Sequence, residues 1–180
     1  MFFNKILNTK GSILPITITG LVIMMVAGLA CMKMFSFQNK LNDFDKIKLR
    51  VQYAAEGAVE ICRGLIAHDG SYLTHNVTDW SNYDDNSKQP PKIEYKVECV
   101  QNNDCTSYGF AENGTYVNYT ITGQARSTVT SPEDGSKKEI SCTVRYFFEV
   151  ENIPEAEGVP AYDRRHFIGW AKDPIVIVDK

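Results

Sequence analysis

Between Ser12 and Met32 the chain runs for twenty-one residues without a charged side chain. An uncharged run of that length is long enough to cross a bilayer as one helix. The eleven residues ahead of it contain Lys5 and Lys10 and no acid. A basic flank of this kind is expected to stay cytoplasmic and send the remainder across, an N-in, C-out topology. The rest of the charge is distributed to match. Residues 1–50 carry seven Lys or Arg against two Asp, and residues 51–180 carry twelve basic against twenty acidic groups, so a +5 start precedes a −8 remainder. An acidic bulk without a basic stripe is a poor phosphate-binding surface, which speaks against a nucleic-acid partner. Gly28-Leu29-Ala30 offers small residues at which a signal peptidase could cut. A signal-peptide-cleaved exported domain with a binding or enzymatic role is therefore the alternative reading.

Apolar residues continue past the span at Met34, Phe37, Leu41, Phe44, Ile47, Val51, Ala55, Ala58, Cys62 and Leu65. Their intervals of three and four are those of one amphipathic helix face, and Lys33, Lys40, Asp43, Lys46 and Arg50 fall off that face. His68-Asp69-Gly70 reads as its end, with His in the last turn and glycine suited to the left-handed residue that follows. Span and stripe are expected to be one helix from Ser12 to Asp69, a rod of roughly 85 Å at about 1.5 Å per residue. Pro15 fits only near the start of such a helix, because the first amides have no intrahelical acceptor to lose.

A Lys-containing leader ending in Gly11, an uncharged span from Ser12 and a helix continuing outward resemble the class III signal of type IV pilins and pseudopilins. The segment Gln52-Tyr53-Ala54-Ala55-Glu56-Gly57-Ala58-Val59-Glu60 is similar to the Ala-Ala-Glu segment of PilX-type minor pilins. The resemblance covers about residues 1–65. It implies cleavage between Gly11 and Ser12 by a prepilin peptidase and insertion in the inner membrane with an exported C-terminal head. It also implies assembly with other pilins or pseudopilins through an inner-membrane platform, into an extracellular filament or a periplasmic pseudopilus. Membrane lipid and neighbouring subunits are then the partners, and the chain is a structural subunit rather than an enzyme. Major pilins usually carry Glu at the fifth mature position, where this chain has Ile16, and an aromatic residue at the first, where it has Ser12. Without that carboxylate the buried ion pair with a neighbour's terminal amine is lost, which points to a minor or tip subunit.

The resulting organisation is a leader at 1–11, a transmembrane segment at 12–33, an amphipathic continuation at 34–69 and a β-rich head at 70–180. The class is α+β, with the long N-terminal helix packed on an antiparallel sheet. Within the head, Ile93 to Cys99 alternates apolar and charged residues, the pattern of a strand with one buried face. Val117 to Ile121 alternates likewise, Ile140 to Val150 predicts a longer strand with Phe147 on its outer face, and Ser131 to Ser136 reads as the hairpin between them. Ile175 to Val178 predicts a last strand. Residues 74–92 and 151–174 read as loops, with Trp80 and Trp170 as small-core anchors.

Cys31 lies in the span, while Cys62, Cys99, Cys105 and Cys142 lie in the part expected to be exported, where bridges can persist. Four cysteines allow three full pairings. Cys99 with Cys105 is favoured because the polar loop from Val100 to Asp104 is short enough for that bond to close. Cys62 and Cys142 both fall on expected core faces and either pair or pack as small apolar residues. No zinc-ligand spacing or nucleophile motif is present, and His68, His75 and His166 read as surface or capping residues. No catalytic, metal or cofactor site is therefore expected. Asp84-Asp85-Asn86 lacks the ligand spacing of a calcium loop and reads as a polar turn. Asn76, Asn113 and Asn118 each open a glycosylation triplet.

Overall fold

A computed structural model describes residues 13–69, 76–83, 91–102, 115–156 and 160–179. The chain divides into two units, Met1–Asp43 and Phe44–Lys180. One helix, α1 (Ile13–Asp69, 57 residues), contributes to both. Its described start places Pro15 in the first turn, where no backbone hydrogen bond is sacrificed. His68 stands in its last turn as the sequence predicts.

In the first unit, α1 presents apolar side chains all round. Leu14, Leu21, Val22, Ile23, Met24, Met25, Val26, Met32 and Phe35 are all exposed. Two hydroxyls lie in this stretch, and each donates to a carbonyl of the preceding turn. Thr17 Oγ1 lies 2.9 Å from the Leu14 oxygen and Thr19 Oγ1 2.8 Å from that of Pro15.

The second unit packs the rest of α1 on an antiparallel sheet of six described strands. These are β1 (Val77–Asn82), β2 (Ile93–Asn102), β3 (Thr115–Thr130), β4 (Lys137–Ile153), β5 (Tyr162–Lys172) and β6 (Val176–Asp179). They pair in the order β1-β2-β3-β4-β5, and β6 joins the same edge of β4 as β5. The step from β5 to β6 is held by the Asp173 amide on the Thr143 carbonyl (3.0 Å) and by Arg145 on the Asp173 carboxylate (2.9 Å).

Helix and sheet meet through Val51, Ala54, Ala55, Ala58, Val59, Cys62 and Ile66 on α1. The facing strands supply Ile93, Val97 and Cys99, then Tyr119, Ile121 and Ala125, then the even positions Ile140 to Val150. Gly123 marks the closest approach. A Cβ built there would stand 2.5 Å from both the Ala55 carbonyl oxygen and Val59 Cγ2, so only glycine lets the helix backbone descend this far. Between β3 and β4 the expected hairpin is present. The Ser131 amide donates to the Ser136 carbonyl at 2.8 Å, and Gly135 adopts a positive φ of 73° that suits glycine.

Several expectations are corrected. The helical stripe is buried only from its second half onward, because Met34 and Phe37 are exposed and Phe44 and Ile47 half-buried. Leu65 faces outward while Ala54, Val59 and Ile66 face in. The 3.6-residue turn carries a strict three-and-four stripe off the contact line over this length. Two of the six strands lie in segments that read as loops. β1 has too few apolar residues to alternate, and β5 opens on Tyr162-Asp163-Arg164-Arg165 and is mostly exposed. Edge strands need bury neither face fully, so alternation does not betray them. Trp80 and Trp170 are not core anchors. Trp170 is 48% exposed, and Trp80 receives the Arg126 guanidinium at 4.1 Å and the Lys96 amine at 5.2 Å.

Candidate functional site

Three features of the described residues carry chemistry beyond ordinary packing. The first is the apolar surface of α1 from Leu14 to Phe35. Its contiguous exposed side chains go well beyond the few hundred Å² that a soluble monomer usually shows. With both threonine hydroxyls returned to helix carbonyls, this stretch asks nothing polar of its surroundings. The helix is long and apolar enough to cross a membrane, and its composition is compatible with membrane anchoring. Gly11 and Ser12, the expected cleavage positions, lie outside the described residues. Ile16, the position that lacks a carboxylate, is exposed on this surface.

The second feature is a rim where α1 meets β4 and β5. Glu56 receives Lys172 at 2.8 Å and Gln52 at 3.1 Å, and Glu60 receives Arg63 at 2.6 Å. The Arg63 guanidinium also lies 5.7 Å from the ring centroids of both Tyr146 and Phe167. Tyr146 meets Trp170 edge-on at 4.6 Å. Glu56, Glu60, Val144, Trp170 and Lys172 line an open groove of about 280 Å³. The carboxylates already have cationic partners, so the rim reads as a latch of β5 onto the helix. Arg165 adds to it by donating to the Ala67 carbonyl at 2.9 Å, which satisfies an acceptor in the last helical turn.

The third feature is polar and buried. Asn118 and Glu149 are register partners on β3 and β4, on the sheet face away from the helix, and Glu151 follows two positions on. All three are at most 1% exposed. Glu151 lies 3.1 Å from His166 Nε2 and 3.9 Å from Arg164 Nη1. His166 is thus engaged with a buried carboxylate and is not a simple surface residue; nothing in the sequence marked it, because the contact joins two strands through their register. Burial of Asn118 also removes its triplet as a glycan acceptor in the folded head. Asn76 uses its side-chain oxygen to accept the Cys99 amide at 2.7 Å. His75, Asp84, Asp85, Asn86, Asn113 and Cys105 lie outside the described residues. Among the described residues no group of three or more His, Cys, Asp or Glu is placed to hold a metal ion.

The expected Cys99 to Cys105 bond falls partly outside the described residues, because Cys105 does. Cys62, Cys99 and Cys142 are all buried, each as a thiol, and Cys31 is exposed. Burial pushes the Cys62 thiol up to about 11. Burial, with a smaller repulsion from Cys62 once that thiol has ionised, pushes Cys99 up to about 12. Cys142 is raised by burial, but the charges it feels are Lys172, Glu56 and Asp173. Along β3, Cys99 pairs with Ile121 and Cys142 with Ala125, so the two strand cysteines lie on opposite sides of Gly123. Cys62 and Cys142 pack as buried thiols, the second of the two outcomes expected for them.

The chain matches no protein-family model, no curated protein and no solved structure, so the functional reading rests on the residues and their geometry.

Proposed function

We propose that the chain is a pilin-like structural subunit, a minor or tip component of a type IV pilus or type II secretion pseudopilus. It is inserted N-in, C-out and processed by prepilin peptidase between Gly11 and Ser12. The observation that carries this reading is one uninterrupted helix, Ile13–Asp69. Its first part exposes apolar side chains on every side, and its last part lies against an antiparallel sheet. A cleavable signal peptide has no need to share a helix with the core of the domain it exports. A subunit that must stay in the bilayer until it is drawn into a filament does, and the apolar stretch then exchanges lipid for neighbouring helices. Its partners in this reading are other pilins or pseudopilins, the peptidase, the inner-membrane assembly platform and lipid. The head stands in the periplasm or on an extracellular filament. Ile16 removes the carboxylate that favours repeated incorporation, so the subunit is scarce within the polymer.

Sequencing the mature N-terminus tests this in cells that contain a prepilin peptidase. The expected terminus is Ser12, and Gly11→Leu leaves the leader attached. A terminus after Ala30 overturns the reading in favour of an exported, signal-peptide-cleaved domain. Quantitative mass spectrometry of sheared filaments tests the minor position, which fails if this chain is the predominant subunit.

A further inference from the structure

The close approach of α1 to the sheet does more than exclude a side chain at Gly123. A disulfide needs its Cα atoms within about 7 Å, closer than a helix held off a sheet by large side chains can reach. Here Ala54, Ala55 and Ala58 face the sheet, and Gly123 admits the helix backbone almost to contact. The register then fixes which residues lie beside each other. Gly123 pairs with Val97, and two residues along the ladder Ile121 pairs with Cys99. On the helix, Gly123 lies under Ala55 and Val59, and one turn further Arg63 and Ile66 line a small crevice with Ile121. Along the strands, α1 therefore passes from the level of the Gly123–Val97 pair to that of the Ile121–Cys99 pair as it runs from Val59 to Ile66. Because Arg63 turns towards Tyr146 and Phe167 on β4 and β5, the step of about 100° per helical residue leaves Cys62 on the β2 side. Cys62 and Cys99 are 1% and 2% exposed and both belong to the core shared by helix and sheet.

We infer that Cys62 and Cys99 form a disulfide that joins α1 to β2 when the head folds in the presence of a small-molecule or protein disulfide. In the exchange, one cysteine thiolate attacks the oxidant's disulfide, forms a mixed disulfide and releases one thiol. The second cysteine loses its proton and attacks the mixed disulfide, closing the Cys62–Cys99 bond and releasing the second thiol. The protein pair is oxidised by two electrons, the oxidant's disulfide is reduced to two thiols, and the two protons pass to them. Burial holds both thiols far above neutral pH, so thiolate is scarce once the head has closed. The bond is made during folding, before the layer shuts, and afterwards it is shielded from reductant. This inference does not depend on the pilin reading. It assigns Cys99 to the helix instead of to Cys105.

The test is to unfold the full chain under reducing conditions and refold it in detergent with a reduced and oxidised glutathione pair. Free thiols are alkylated and the chain is mapped without reduction. The expected product is a Cys62–Cys99 peptide pair lighter by two hydrogens than the separate thiol peptides, retained in Cys142→Ala. The bond closes a long loop, so reductant added during unfolding is expected to lower the melting midpoint of the unsubstituted chain by roughly 10 °C. The midpoint of Cys62→Ala does not move with reductant. A dominant Cys99–Cys105 or Cys62–Cys142 peptide overturns the assignment, as does alkylation of both Cys62 and Cys99. The peptide map is made on the unsubstituted chain, so it decides the pairing even where a cysteine variant fails to fold.

Discussion

The two ends of α1 obey the same backbone rules and meet opposite fates. From Leu14 to Phe35 the side chains are large and apolar in every direction, and nearly all are exposed. From Val51 to Ile66 the inward positions are mostly small, with three alanines and Cys62, and all are buried. A helix forms in both because hydrogen bonding is local. What it can touch is set by side-chain size. Bulky apolar groups all round call for an apolar solvent, whereas a narrow stripe of small groups lets a second backbone come near. Polarity follows the same division. The first region closes its only hydroxyls on itself, while the second carries its charges outward to Lys172, Arg165 and the β5 rim.

The contrast breaks most visibly if the first region is made polar. Val22→Arg with Met25→Arg places two cations mid-span, at about 2.5 to 3.5 kcal/mol each on insertion scales. Fractionation should show the chain leaving the membrane, while the melting midpoint of the head stays unchanged. Loss of the head's cooperative melting would show that the regions are not independent.

Core truncation in the second region comes next. Phe148 is 1% exposed and stacks on Tyr119 with centroids 5.2 Å apart. Phe148→Ala should cost about 3 to 5 kcal/mol in denaturant unfolding without altering membrane retention.

Gly123→Ala sharpens the argument about close approach, since one added methyl has nowhere to go without lifting the helix. The expected loss is about 2 to 3 kcal/mol. It should be larger than for Gly64→Ala, where nothing lies within 4 Å of the added carbon. Equal effects at the two sites would remove the case for a glycine-enabled contact.

The smallest effect lies in the β3–β4 turn. Hydrogen bonds from the Ser136 amide and hydroxyl, with that from Ser131, hold the Asp134 carboxyl down at about 2 from its ordinary 3.8. A depressed pKa means that the charged form is favoured by folding. Its contribution is present above pH of about 3.8 and fades as pH falls towards 2. Asp134→Asn should flatten the stability profile only in that window, and the turn is open to solvent, so the change should be slight.

The parts legible in the sequence are those with a strong period. Ile93 to Cys99 and Ile140 to Val150 announce β2 and β4 because one face of each is wholly buried, and Ser131-Pro132-Glu133-Asp134-Gly135-Ser136 announces the turn. β1 and β5 escape because edge strands answer to a single neighbour and can keep both faces half wet. The Glu151–His166 contact and the aromatic rim around Arg63 escape for a different reason. Their members come from different elements, and only pairing registers bring them together.

A long uncharged helix, an amphipathic continuation and a β-rich remainder all follow from the order of the amino acids. Helix and strand periods are local, and charge-free length is read by counting. Three-dimensional packing was needed to establish which side of the helix is buried, that Gly123 is a contact point and not a flexible link, and that Cys99 and Cys142 lie on opposite sides of Gly123 along β3. Those outcomes depend on where a helix lands on a sheet, and the landing is set by the summed shapes of Ala55, Val59, Gly123 and Ile121, residues far apart in the chain.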